Sequence, residues 1–151
     1  MNIINEQIRA FLDEPDMIAA LGNISACIMM NYENINWSGF YFAKNGELVL
    51  GPFQGKPACT HIPFDKGVCG KTYRDKAVQR IDDVLSFPGH IACDSASRSE
   101  LCVPVIVSGE CVAEIDLDAP VPCRFTETEE KEMLQAAEDI ASAFLQHNWK
   151  F

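Results

Sequence analysis

Two short turns constrain the fold of this chain more than any other feature. Asn45-Gly46 divides the β-rich stretch INWSGFYFAKNGELVLGPFQG, and Ser108-Gly109 divides ELCVPVIVSGECVAEIDLD. Asn-Gly between two β-rich runs is the strongest short hairpin signal, because both turn residues tolerate positive φ. Strands joined by so few residues must pair antiparallel. A doubly wound parallel sheet is therefore excluded, and the expected class is α+β with a central, mainly antiparallel sheet.

Helices close both ends. Ile4, Ile8, Phe11 and Leu12 keep helical spacing until Pro15, and a second run carries Ile18, Leu21, Ile24, Ile28 and Met29. At the far end Thr126 and Glu129 form a capping-box pattern ahead of an amphipathic helix. Its predicted buried stripe is Met133, Leu134, Ala137, Ile140, Ala141, Phe144 and Leu145. Between the hairpins, a strand is expected near CTHIPF, a glycine turn and short helix in DKGVCGKTYRDK, and another strand at AVQRI. No repeat or linker interrupts the 151 residues, so one domain, 1–151, is expected.

Charge narrows the function. Twenty-two acidic residues against 12 basic ones argue against a nucleic-acid partner, whose phosphates want a basic face. The N-terminus lacks a basic region followed by an apolar stretch, and no apolar run is long enough to span a membrane. A cytoplasmic protein without membrane contact is expected. Its seven cysteines then cannot be read as a secreted disulfide framework.

The cysteines sort by neighbourhood. Cys27 falls within a helix, and Cys102 and Cys111 alternate with apolar residues on the second hairpin, so packing is the expected role for all three. Cys123 lies in a proline-rich turn without an activating neighbour. Cys59, Cys69 and Cys93 lie at loops or strand edges. Cys69, between Gly67 and Gly70 at the start of a helix, is placed for thiolate stabilisation by the helix dipole. Cys93, three residues after His90, would be activated by an imidazolium or by loop amides. The rival reading is zinc, held by Cys59, His61, His90 and Cys93, although no Cys-x-x-Cys knuckle is present. Among the acids, Glu114, Asp116 and Asp118 alternate along one strand and so stack on one face. That is unfavourable unless a cation or a cationic ligand, such as an amino acid's ammonium group, sits there.

The stretches INWSGFY, GKPACTHIPFDKGVCGKT, DVLSFPGHIACDSASRSEL and EIDLDAP resemble the free methionine-(R)-sulfoxide reductases, a family with the GAF fold. The resemblance covers roughly residues 20 to 140. It implies a thiol-dependent oxidoreductase acting on free L-methionine-(R)-S-oxide, with thioredoxin as reductant, no bound cofactor or metal, and a homodimer as its assembly. It implies Cys93 as the nucleophile, Cys69 as the thiol that resolves the sulfenic acid, and Cys59 as a participant in disulfide exchange. Glu100, Asp116 and Asp118 are implied to line the substrate site, with Trp37 and Tyr41 walling the substrate's methyl end. Cys102 and Cys111 stand where aliphatic residues are expected, and Glu114 adds a charge ahead of the paired aspartates. A reading from a different class, a GAF sensor that binds a ligand or senses redox state without turnover, is weakened by the absence of an attached output domain.

Overall fold

Both hairpins form. The structure, a computed structural model, describes residues 2–91, 93 and 95–151. In chain order the elements are α1 (Ile3–Phe11), α2 (Met17–Asn31), β1 (Trp37–Lys44), β2 (Glu47–Gly55), β3 (His61–Pro63), α3 (Gly67–Asp75), β4 (Gln79–Ile81), β5 (Ser99–Val107), β6 (Glu110–Ala119) and α4 (Glu127–His147). A single 3-10 turn, Val84–Ser86, sits in the loop between β4 and β5. Asn45 and Gly46 have φ of 56° and 80°, and Ser108 and Gly109 of 52° and 83°. Positive φ at both central positions twists the turn the way the strands twist, which fixes hairpin register.

The strands form one sheet of order β3-β2-β1-β6-β5-β4, and every described pairing is antiparallel. The two hairpins meet along β1 and β6, so the centre of the sheet joins segments nearly 80 residues apart, as in the Phe40–Ile115 and Ser38–Leu117 pairs. The α+β expectation, an antiparallel sheet with helices from both chain ends, holds.

Alternation then gives the central strands two different faces. Toward α1, α2 and α4 point Phe40 and Phe42, Leu101, Val103 and Val105, and Ala113, Ile115 and Leu117, all buried in one apolar cluster. Each fully buried aliphatic side chain there contributes about 1.5–3 kcal/mol. The helices are pinned at their ends. Asp16 caps α2 by accepting from the Ala19 N–H at 2.9 Å, just after the break at Pro15, and α4 has the complete Thr126/Glu129 capping box.

The stripe on α4 is narrower than periodicity predicts. Met133, Ala137, Ile140 and Phe144 are buried, but they are joined by Ala136 and Ala143, whereas Leu134 and Leu145 are 37% and 65% exposed. The alanines bring the helix close to β5, and that closeness turns the two leucines outward. Ile18 of α2 is likewise exposed. Shape complementarity, not hydrophobicity alone, decided which side of each helix went in.

Candidate active site

The other face of the same strands carries the site. Register across β1, β6 and β5 aligns Trp37 with Asp118 and Glu100, Gly39 with Asp116 and Cys102, and Tyr41 with Glu114 and Pro104. Three acids of β6 thus stand in a row, flanked on one side by aromatics and on the other by Glu100 and Cys102. Helix α3, residues 57–62 and, among the described residues that follow, His90, Ile91, Cys93 and Ser97 surround this row. They leave a cleft lined among others by Trp37, Tyr41, Cys69, Cys93, Glu100, Asp116 and Asp118.

Trp37 and Tyr41 hold the cleft open on one side. The Trp37 indole N–H donates to the Lys56 carbonyl at 3.1 Å, and the Tyr41 hydroxyl donates to the Cys59 carbonyl at 2.8 Å. Trp37 also stacks on Phe53 with ring centroids 5.2 Å apart. Gly39 makes this stack possible: a β-carbon there would lie 2.4 Å from Phe53 Cβ and 2.8 Å from the Trp37 ring. The two bonds from the aromatics fix the strand-like approach to Cys59, and so fix the thiol that follows it.

Cys59 and Cys93 are joined by a disulfide, with Cα atoms 5.4 Å apart, and Cys93 lies in the cleft wall. Cys69, the third residue of α3, is a free buried thiol. The helix dipole does not make it a thiolate. Its pKa is pushed well above the ordinary thiol value, first by its contact with Cys102 and then by burial, with Asp116 adding repulsion. The Cys69 and Cys102 sulfurs are 3.7 Å apart, and Cys102 Sγ lies 3.3 Å from Glu114 Oε1. Burial raises the Cys102 thiol as well.

The acids are buried and protonate readily. Glu100 is 6% exposed, Asp116 5% and Glu114 not at all. Burial is the leading cause of a raised pKa in each, and for Glu100 the neighbouring Asp116 and Asp118 push it further. Glu114 Oε2 and Asp116 Oδ1 have no hydrogen-bond partner among the described residues. A cluster of this kind is stable with its protons on, and it is ready to release them to, or share them with, a cationic or basic ligand.

Of the eight residues singled out in the sequence, Trp37, Tyr41, Cys69, Cys93, Glu100, Asp116 and Asp118 line one cleft, and Cys59 is bonded to one of them. The zinc set does not assemble. Cys59 and Cys93 are bonded to each other, and His61 turns to solvent to meet Glu47 at 3.2 Å. His90 lines the cleft, where burial lowers its pKa and the Asp116 charge opposes that shift, so burial works against the imidazolium expected to activate Cys93. Two other donor groups, Cys69 with Cys102 and Glu114, and Cys69 with Glu100 and Asp116, have their ligand atoms within 4.8 Å of one another, close enough for one cation. Sequence reasoning missed the burial of Glu114 and the meeting of Cys102 with Cys69. The strand alternation that stacks Glu114 with Asp116 was the available signal; the approach of α3 to β5 left none. The loop proposed to offer backbone N–H groups around Cys93 includes residues 92 and 94, which lie outside the described residues.

Comparison with known proteins places this geometry. The GAF domain family matches residues 16–144. The chain is 52% identical over 136 residues to Protein YtsP of Bacillus subtilis, covering 89% of this chain and 83% of the relative. It is 40% identical over 148 residues to the free methionine-R-sulfoxide reductase of Escherichia coli, covering 97% and 90%. Among solved structures it is similar to the free methionine-R-sulfoxide reductase of Neisseria meningitidis in complex with its substrate, with a TM-score of 0.92 at 36% identity, covering 96% of this chain and 88% of that one. With its GAF fold and relatives that align along nearly their whole length, the chain belongs to the GAF-domain family of the free methionine-R-sulfoxide reductases.

Proposed function

We propose that this protein reduces free L-methionine-(R)-S-oxide to L-methionine by thiol chemistry at Cys93, with Cys59 as the resolving thiol. The observation that carries the reading is the Cys59–Cys93 disulfide in the wall of a cleft floored by buried carboxyls. A disulfide in that place is the oxidised end of a reaction that began with two thiols. The relative from Escherichia coli and the Neisseria meningitidis neighbour, solved with its substrate, both named for this activity, support it.

The steps follow from the residues. A sulfoxide sulfur accepts a nucleophile once its oxygen is protonated, so an acid must stand near the attacking thiol. Glu100 is the group for this, because burial and the neighbouring Asp116 and Asp118 raise its pKa well above the ordinary carboxyl value and favour its protonated form. The Cys93 sulfur attacks, the substrate's S–O bond breaks as its protonated oxygen passes to Cys93, methionine leaves, and Cys93 becomes a sulfenic acid. The Cys59 thiol displaces the hydroxyl as water and forms the disulfide. This order departs from the expectation that Cys69 resolves Cys93, since Cys59 is the residue already bonded to it. An external dithiol, thioredoxin in our reading, then returns both sulfurs to thiols by exchange.

Selection for the free amino acid comes from the same acids. Asp116 and Asp118 face the cleft from alternate positions of β6, where an ammonium group can take a carboxylate's charge. An N-blocked or peptide-bound sulfoxide lacks that charge and would leave buried carboxylates unpaired, at a cost of several kcal/mol. Trp37 and Tyr41 supply the apolar wall for the methyl end.

The test is thioredoxin-coupled NADPH oxidation with free methionine-R-sulfoxide, its S epimer and an N-blocked R-sulfoxide, using wild type and Cys93→Ser. Turnover of the free R epimer alone, lost in the variant, is the expected result. If all three stay inert while peroxide still drives the Cys59–Cys93 bond, the reductase reading fails and a redox sensor takes its place.

A further inference from the structure

Beneath the cleft lies a second pair of sulfurs that the reaction above does not use. We propose that Cys69 and Cys102 are a redox pair that takes oxidation from the Cys59–Cys93 disulfide and stores it as a Cys69–Cys102 disulfide. The inference rests on the reductase reading for its source of oxidant, the sulfoxide itself.

Three observations carry it. First, the two sulfurs are in van der Waals contact at 3.7 Å, one from α3 and one from β5, so a bond of about 2.05 Å needs only a modest closure between two elements already packed together. Second, Cys69 bridges the two levels, because it lines the same cleft as Cys93 while touching Cys102 below it. Third, Cys102 has its own carboxyl to relay a proton. Glu114 Oε1 is 3.3 Å from the Cys102 sulfur, and Glu114 is fully buried with its second oxygen unpartnered among the described residues. Two aliphatic residues would pack this floor without an orphaned carboxyl. A buried thiol and carboxyl in contact with each other, beside Cys69 and Asp116, have a use in moving a proton and an electron pair.

The exchange balances. The Cys69 sulfur attacks Cys93 Sγ; the Cys69–Cys93 bond forms, the Cys59–Cys93 bond breaks, and the proton that Cys69 gives up ends on the departing Cys59 sulfur. Cys102 then attacks Cys69 Sγ while the neutral Glu114 carboxyl takes the Cys102 proton on Oε1 and releases its own from Oε2. The Cys69–Cys102 bond forms, the Cys69–Cys93 bond breaks, and the departing Cys93 sulfur takes up the released proton. One disulfide has been reduced to two thiols and two thiols oxidised to one disulfide, with two protons transferred and none lost. Cys93 and Cys59 are again reduced, and the chain can accept a second sulfoxide before any external dithiol arrives.

A single-turnover count decides the matter. Fully reduced, desalted protein is mixed with excess free methionine-R-sulfoxide and no reductant; methionine is counted per chain, disulfides are mapped by non-reducing peptide mass spectrometry, and dimedone traps any sulfenic acid. The expected result is about two methionines per chain, falling to about one in Cys102→Val, with Cys59–Cys93 and Cys69–Cys102 peptides both present in wild type. A wild-type count of about one overturns the proposal. So does a count of about two that persists in Cys102→Val and ends in a dimedone adduct on Cys93. No methionine at all would instead overturn the reductase reading. A parallel arm keeps the pair testable in that event: diamide on the reduced wild-type protein either yields the Cys69–Cys102 peptide, as expected, or yields only Cys59–Cys93, which refutes the pair.

Discussion

The two faces of the β1-β6-β5 core differ by one residue of register and by almost everything else. On the helix side, Ala113, Ile115 and Leu117 of β6 disappear into an apolar cluster. On the cleft side of the same strand, Glu114 and Asp116 sit where burial makes their charged forms costly, with Asp118 beside them in the cleft wall. The first face is built to hold the sheet together, and the second spends part of that stability on chemistry. This division teaches that the site is not attached to the fold by loops alone. It is the reverse side of the core, and its acids are positioned as rigidly as the residues that stabilise the protein.

If that is right, substitutions on the two faces must separate activity from stability. The largest effect is expected from Glu100→Gln. The amide keeps the size of the side chain but has no proton to give the sulfoxide oxygen, so kcat should fall by about 100- to 10,000-fold. Thermal unfolding should show no loss of stability, because a buried acid surrounded by other acids has been replaced by a neutral group. Comparable loss of kcat and of melting temperature would break the comparison.

Leu117→Ala is the mirror experiment, one residue from Asp116 and Asp118. Leu117 is fully buried against the helices, and truncation should cost about 2–5 kcal/mol, the transfer term plus the cavity left behind. Measured by urea unfolding, that loss should come with near-normal kcat in the protein that remains folded. A large drop in kcat for the folded fraction would mean that the two faces are mechanically coupled.

How much of this was legible in the sequence follows the same division. The hairpins were legible because Asn45-Gly46 and Ser108-Gly109 write their backbone conformation into residue type. The α4 cap was legible for a similar reason, since Thr126 and Glu129 are spaced for two reciprocal bonds. The acids of β6 were legible as a row because side chains alternate with period two. What alternation cannot say is which neighbour lies across the gap. Hence Cys69 read as a helix-start thiol placed for thiolate stabilisation, although it is buried against Cys102, and Leu134 and Leu145 read as core. Those outcomes depend on how closely α3 and α4 approach the sheet, and that is set by residues from opposite ends of the chain.

A smaller effect, of opposite sign, is expected from Glu114→Val. Removing a fully buried acid with an unpartnered oxygen should stabilise the protein by about 1–3 kcal/mol at pH 8. The pH dependence follows from the direction of the shift. The folded pKa of Glu114 is raised, so below the ordinary carboxyl value of 4.5 both folded and unfolded chains hold the proton. As pH rises past that value the unfolded chain releases its proton first, and stability falls until the folded group also titrates. Glu114→Val should flatten that slope, and melting curves from pH 4 to pH 8 would reveal it. A steeper slope in the variant would mean that Glu114 is ionised and stabilised by a cation.

The smallest effect belongs to the face of α4 that turned outward. Leu145 is 65% exposed, and Leu145→Lys should change stability by no more than about 0.5 kcal/mol, since both residues favour helix and neither side chain is packed. The same prediction would be wrong by several-fold if the periodic stripe read from the sequence were the true buried face, because a lysine there would have to be desolvated. Urea unfolding of this one variant therefore sharpens the boundary between the core and its surroundings. A neutral result assigns the helix contact to Met133, Ala136, Ala137, Ile140, Ala143 and Phe144, and a loss above about 1 kcal/mol would show that the outer face of α4 is covered in solution.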